Sequence, residues 1–242
     1  MSAPLSLEEL GRKQRALRLL YFGLMGLALT AIATALARSA SGALTSLGVI
    51  LIFYIFVRKR RGEYERSLMF ANLSRTFAGL EGLTVREKGG TGLSAEDIRE
   101  ARLVPLNDGS GAVSLFLGVS GKIGGMEVSL NDVALHNGRD VHCGCWMRFV
   151  LPEPAGADFR VHGTQIEEGT PPEAFMEKLG ELVRYTPGEL FLRVRGQNAD
   201  AYIKHRVLAM PFPVNVPPSP EMLGFDPMPE FKKLRELIAL LR

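Results

Sequence analysis

Two long uncharged runs constrain this chain more than any other feature. Leu19–Ala37 (LLYFGLMGLALTAIATALA) and Ser39–Val57 (SASGALTSLGVILIFYIFV) are each 19 residues long, with only Arg38 between them. A helix rises 1.5 Å per residue, so about 20 mostly apolar residues cross the hydrocarbon layer of a bilayer. The pattern predicts two membrane-spanning helices joined by a tight polar turn over Ser39–Gly42.

The flanks predict the orientation. Arg12, Lys13, Arg15 and Arg18 precede the first run, and Arg58, Lys59, Arg60 and Arg61 follow the second. Basic residues beside spans favour the cytoplasmic side, so both termini and everything after Val57 are expected there. These eight cations are the expected membrane-interface residues. The run Arg58–Arg61 also suits anionic headgroups, although a plain topology signal without lipid specificity is the simpler reading; the lipid bilayer is the first expected partner. Residues 1–66 hold ten Lys/Arg against four Asp/Glu, a net +6. The rest hold nineteen against twenty-two, a net −3, which argues against a nucleic-acid-binding domain.

The spans contain no Asp, Glu, Lys, Arg or His. Ion and proton paths need such groups, so a transporter is disfavoured. Gly26, Thr30 and Thr34 recur every four residues, a small-residue row suited to close helix packing. Packing inside the hairpin and packing against another membrane protein both remain open. Ala35-Leu36-Ala37 resembles a signal-peptide cleavage site, but the apolar run exceeds the usual 7–15-residue core of roughly that class. The segment is therefore read as uncleaved, although sequence does not decide whether the chain is cut after Ala37.

The chain divides into six expected parts. Residues 1–18 begin the first helix, with a Ser6-x-x-Glu9 capping box. Residues 19–57 form the transmembrane hairpin. Residues 58–82 form a basic juxtamembrane helix bearing Met69, Leu73, Phe77 and Leu80 on one stripe. Residues 83–209 form a soluble α+β domain, 210–229 a connector with seven prolines, and 230–242 an amphipathic helix. That last helix aligns Phe231, Leu234, Ile238 and Leu241. Met69, Leu73, Phe77, Phe231, Leu234 and Ile238 are candidate partner-facing residues.

Within the soluble domain, Ser94-x-x-Asp97 caps a helix over Ala95–Ala101. Strands are expected at Ala112–Val119, Met126–Leu130, Val133–His136, Cys145–Leu151 and Phe159–His162. A helix starting at Thr170-Pro171 with Glu173 runs to about Arg184. Strands at Leu190–Val194 and Tyr202–Ala209 follow. Neighbouring strands with short turns imply a mainly antiparallel sheet with packed helices.

Chemistry is sparse. His142-Cys143-Gly144-Cys145-Trp146 places two thiols and an imidazole together, but a structural zinc site needs four ligands and no second Cys pair exists. His142, Cys143 and Cys145 are weak metal candidates. A core strand is the simpler reading, with both cysteines on one face. Gly118-x-x-Gly121-x-x-Gly124-Gly125 and Asn107–Gly111 read as turns, not phosphate loops. No catalytic signature appears, and no cofactor is expected.

The layout resembles a bacterial family of uncharacterised two-pass membrane proteins with a cytoplasmic α+β domain. The carriers are Leu19–Val57, Arg58–Leu80, Ser94-Ala95-Glu96-Asp97, Asp132-Val133-Ala134-Leu135 and Phe149-Val150-Leu151-Pro152. The resemblance implies a location in the bacterial inner membrane and this architecture, but no activity. Three functions stay open. One is a membrane-anchored, non-catalytic interaction protein, such as an accessory subunit, assembly factor or scaffold. Another is a membrane-tethered enzyme or ligand or redox sensor. The third is a homo-oligomeric membrane organiser. The expected protein partner is another membrane protein or a second copy.

Overall fold

A computed structural model of the chain describes residues 5–37, 40–106, 112–209 and 212–241. The elements run α1 (Leu7–Leu36), α2 (Ala40–Thr76), β1 (Glu81–Arg86), α3 (Ala95–Ala101), β2 (Val113–Ile123), β3 (Met126–Asn137) and β4 (Asp140–Val150). Then come β5 (Phe159–His162), β6 (Gln165–Gly169), α4 (Glu173–Tyr185), β7 (Leu190–Arg195), β8 (Asn198–Lys204), α5 (Pro220–Leu223) and α6 (Glu230–Ile238). The fold is α+β, with an N-terminal apolar helix and one eight-stranded antiparallel sheet. The chain divides into two compact units. One comprises Ser2–Arg75 and Pro211–Phe225; the other comprises Thr76–Met210 and Asp226–Arg242.

The first unit is helical. Ser6 closes the expected capping box with Glu9, satisfying donors that the first turn leaves unpaired. Helices α1 and α2 touch at several levels. Lys13 Nζ donates to Ser67 Oγ at 3.0 Å, Arg61 bonds Tyr21, and the backbone at Gly23 lies against the Phe53 ring. Partners fall in number along α2 as they rise along α1, so the two helices run antiparallel. Leu10, Leu17, Val57, Tyr64, Leu68 and Ala71 form their buried seam. The expected turn over Ser39–Gly42 is shorter than predicted, because α2 already includes Ser41 and Gly42. Arg38 and Ser39 lie outside the described residues.

The proline-rich segment is not a simple surface connector. Its first part is strapped to the two helices by buried amides. Gln14 Nε2 donates to the carbonyls of Val214 (3.1 Å) and Val216 (2.6 Å). Asn72 Nδ2 donates to those of Leu223 (3.2 Å) and Phe225 (2.7 Å). Prolines leave carbonyls without ladder partners, and these side chains supply donors for the strap. Val214 and Leu223 join the helical seam. Ser219 caps the short helix α5.

The second unit is built on the sheet, in strand order β1-β2-β3-β4-β8-β7-β5-β6. Two-residue turns such as Gly124-Gly125, both with positive φ, suit the twist of adjoining antiparallel strands. On one face, Leu130, Met147, Ala201, Leu192 and Val161 lie across from one another in successive strands. Helices α4 and α6 cover this face. Phe175 meets Phe159 edge-on at 5.0 Å, and Phe231 stacks on Phe149 at 6.0 Å and meets Phe77 at 5.5 Å. The opposite face carries Trp146, Arg148, Asp200 and Tyr202. Helix α3 lies over it, with Ile98 and Leu103 against Trp146 and Tyr202 in a second core.

Several expected boundaries move. The juxtamembrane helix ends at Thr76, and the chain then turns into β1, a strand that the glycines at 79 and 82 conceal in the sequence. The strands expected at Met126–Leu130 and Val133–His136 are one strand, β3. The strand β8 ends at Lys204, because His205 takes a left-handed conformation (φ 65). Helix α4 is preceded by Pro172 at the cap position without a side-chain cap, so Thr170 does not serve as one. The turn expected at Asn107–Gly111 lies outside the described residues.

Candidate functional site

The most unusual surface belongs to the helical unit. Leu19, Phe22, Met25, Leu29, Ile32 and Leu36 are exposed along α1, and Leu44, Leu47, Leu51, Ile52 and Ile55 along α2. Leu36 and Ile52 reach 79% and 71% exposure. Soluble proteins rarely leave so continuous an apolar surface in water. Among the described residues, α1 is the one helix whose length and composition suit a membrane crossing, and its apolar stretch is not buried inside the protein.

All eight expected interface cations, Arg12, Lys13, Arg15, Arg18, Arg58, Lys59, Arg60 and Arg61, are solvent-exposed at the polar ends of the apolar segments. Arg60 pairs with Glu63 at 3.0 Å and lies 5.3 Å from the Phe56 ring centre. Arg61 pairs with Glu65 at 2.8 Å, and with Tyr21 this holds its guanidinium above its ordinary value. Arg18 donates to the Asn215 carbonyl of the strap.

The small-residue row does not join α1 to α2. Gly26 and Thr30 are exposed, and a Cβ at Gly26 would meet nothing within 4 Å. The hydroxyls of Thr30 and Thr34 bond carbonyls of their own helix at 3.0 and 2.9 Å. The close approach to α2 is at Gly23 instead.

The amphipathic stripes are largely consumed by the chain itself. Leu73, Phe77, Leu234 and Ile238 are buried, and Phe231 is held between Phe77 and Phe149. Met69 is half-buried. Of the six expected partner-facing residues, four are thus buried within the chain, and Met69 and Phe231 keep part of their surface exposed.

The thiol stretch is a strand, with its members dispersed. Cys145 is fully buried on the helix-covered face opposite Asp132, and burial pushes its thiol well above the ordinary value. Cys143 is exposed and both thiols are free. The His142 carbonyl accepts from the Tyr202 hydroxyl at 3.4 Å. Among the described residues, no group of three or more His, Cys, Asp or Glu could hold a metal ion.

Sequence reasoning missed the polar cluster on the α3 side of the sheet. Arg148 grips Asp200 with Nε (2.8 Å) and Nη2 (3.1 Å) and reaches Asp97 with Nη1 (2.6 Å). Trp146 Nε1 also donates to Asp200, at 2.9 Å. Burial alone would raise the Asp97 carboxyl, but bonds from Ser94 and Arg148 outweigh it and hold it below its ordinary value. The Ser94 cap thus ties α3 to the sheet. A cavity of about 480 Å³ opens beside the cluster, lined also by Glu100, Asp158, Arg193 and Arg195. Acids and bases there nearly balance, and the Arg148 donors are already engaged. The only sequence signal was alternation, which places Trp146 and Arg148 on one face; their partner Asp200 is 52 residues from Arg148.

Comparison with family models, curated proteins and solved structures finds no match for this chain.

Proposed function

We propose that this chain is a membrane-anchored, non-catalytic interaction protein, an accessory subunit, assembly factor or scaffold of a bacterial inner-membrane complex. Its two apolar segments cross the bilayer as a hairpin, and both termini and the sheet unit lie in the cytoplasm. The observation that carries this reading is the continuous exposed apolar surface of α1 and α2 between basic ends. Each fully exposed Leu or Ile forgoes roughly 1.5–3 kcal/mol of burial, which hydrocarbon would restore. The basic ends then sit at the cytoplasmic headgroups.

Two further observations support it. The first turns of α1 are part of the helical unit: Leu10 and Leu17 are buried, and Gln14 holds the strap. Cleavage after Ala37 would remove all three, which favours a retained anchor. A Cβ at Gly26 would meet nothing within 4 Å among the described residues and Thr30 is exposed, which leaves this row open to a second membrane helix.

The test is gentle detergent extraction of the full chain from its own membranes, followed by sizing and mass spectrometry of every co-purifying chain. A defined complex that shrinks when Gly26→Leu is introduced is the expected outcome. A lone chain of unchanged size in both proteins would refute the interaction role.

A further inference from the structure

A groove of about 590 Å³ runs between α1 and α2 at the level of the basic ends. Lys13, Ala16, Leu17, Leu19 and Leu20 line it from α1, and Phe56, Arg60, Glu63 and Tyr64 from α2. Its polarity is graded. Lys13, Glu63 and Tyr64 lie toward the N-terminus of α1, and Arg60 bridges the two ends, paired with Glu63 at 3.0 Å and 5.3 Å from the Phe56 ring centre. Leu19, Leu20 and Phe56 occupy the end that continues into the exposed apolar surface.

Three features need an occupant. The lining holds two cations against one carboxylate, a net single positive charge. Arg60 uses Nη1 for Glu63, and a guanidinium has five N–H donors, so the fork retains donors for another acceptor. Tyr64 is 2% exposed, and its hydroxyl is buried with no hydrogen-bond partner among the described residues. A buried hydroxyl without a partner is costly, and native structures seldom leave one so.

We infer that this groove binds one anionic phospholipid, with its phosphodiester between Lys13 and Arg60 and an acyl chain along Leu19, Leu20 and Phe56. Tyr64 donates its hydroxyl to an oxygen of the headgroup or ester. A single phosphodiester charge matches the net charge of the lining. A free phosphate would leave the apolar half of the groove empty, and a zwitterionic headgroup would bring its own cation beside Lys13 and Arg60. The inference rests on the membrane reading above and gives it a specific lipid class.

The full-length chain, purified in a non-ionic detergent, is offered equal amounts of phosphatidylglycerol and phosphatidylcholine with identical acyl chains. Native mass spectrometry then counts retained lipid. The expected preference for phosphatidylglycerol is about tenfold, from repulsion of the choline cation of phosphatidylcholine by Lys13 and Arg60. Lys13→Gln with Arg60→Gln brings the preference to within about twofold, whereas Arg12→Gln with Arg58→Gln, outside the groove, leaves it intact. Tyr64→Phe lowers retention about fivefold, as loss of one hydrogen bond implies. Millimolar inorganic phosphate displaces none. Equal retention of the two lipids, an equal effect of the two double variants, an unchanged Tyr64→Phe chain or displacement by phosphate would each overturn the inference. Alkaline washing of native membranes separates the two failures. A chain that stays in the pellet without lipid preference loses the groove and keeps the anchor; a chain that washes off loses both.

Discussion

Asp132 offers a pH-dependent test of the packing in the sheet unit. Its side chain is 4% exposed on the helix-covered face, opposite Cys145. It accepts from the backbone N–H groups of Leu208 (2.6 Å) and Ala209 (2.9 Å). Burial dominates these two bonds and raises the carboxyl from 3.8 to about 6. The folded state therefore favours the protonated acid, and stability is lost as pH rises from about 4 through about 6. A shift of about two units corresponds to about 3 kcal/mol. Asp132→Asn removes the titration. It also turns one amide N–H toward a backbone donor, a loss of about 1–3 kcal/mol that does not vary with pH. Urea unfolding of the full chain in detergent, from pH 4 to pH 7, measures the difference. Trp146, the single tryptophan and fully buried, reports on this unit by fluorescence. Other carboxylates, including Asp97, are common to both proteins and cancel. The wild type should lose about 3 kcal/mol relative to the variant across that range. Parallel stability curves would show that burial does not raise the Asp132 carboxyl.

Other perturbations probe other parts. Arg148→Met leaves Asp200 charged and buried without its partner, and should cost about 3–5 kcal/mol by circular dichroism melts; a loss under 1 kcal/mol or so would show the cluster to be dispensable. Asn72→Leu strips the donor from the Leu223 and Phe225 carbonyls, and should cost about 1–3 kcal/mol and raise hydrogen exchange in segment 212–225. Unchanged protection there would contradict the strap. Gly118→Ala directs a methyl group into Asn131 Oδ1 and the Thr91 amide, and should destabilise the sheet unit by about 1–3 kcal/mol. A neutral substitution would mean that the Gly89–Gly92 loop is not pressed onto β2.

Features with a local cause were legible in the sequence. The capping boxes at Ser6 and Ser94, the strand Phe159–His162 and the helix from Glu230 follow from spacing, and the structure has each. Features decided by distant partners were not. Asn131-Asp132 breaks the apolar pattern of β3 because both side chains are satisfied elsewhere, Asn131 by the Thr91 backbone and Asp132 by Leu208 and Ala209. The edge strand β6, Gln165–Gly169, is exposed throughout, so no alternation marks it. The amphipathic stripes were visible, but what covers Phe231 depends on Phe77 and Phe149, more than 80 residues away in each case or so. The groove was half legible: Lys13 and Arg60 stood out as interface cations, whereas the unpartnered Tyr64 hydroxyl needed the antiparallel pairing of α1 and α2 to emerge.

Labelling of Cys143 in sealed membrane vesicles reports on which side of the bilayer the sheet unit lies. Cys143 is exposed and Cys145 is buried, so a membrane-impermeant maleimide reads one position. An anchored chain with a cytoplasmic sheet unit survives alkaline washing in the membrane pellet and is labelled only in inside-out vesicles. Release into the wash, or labelling of right-side-out vesicles, would contradict that placement.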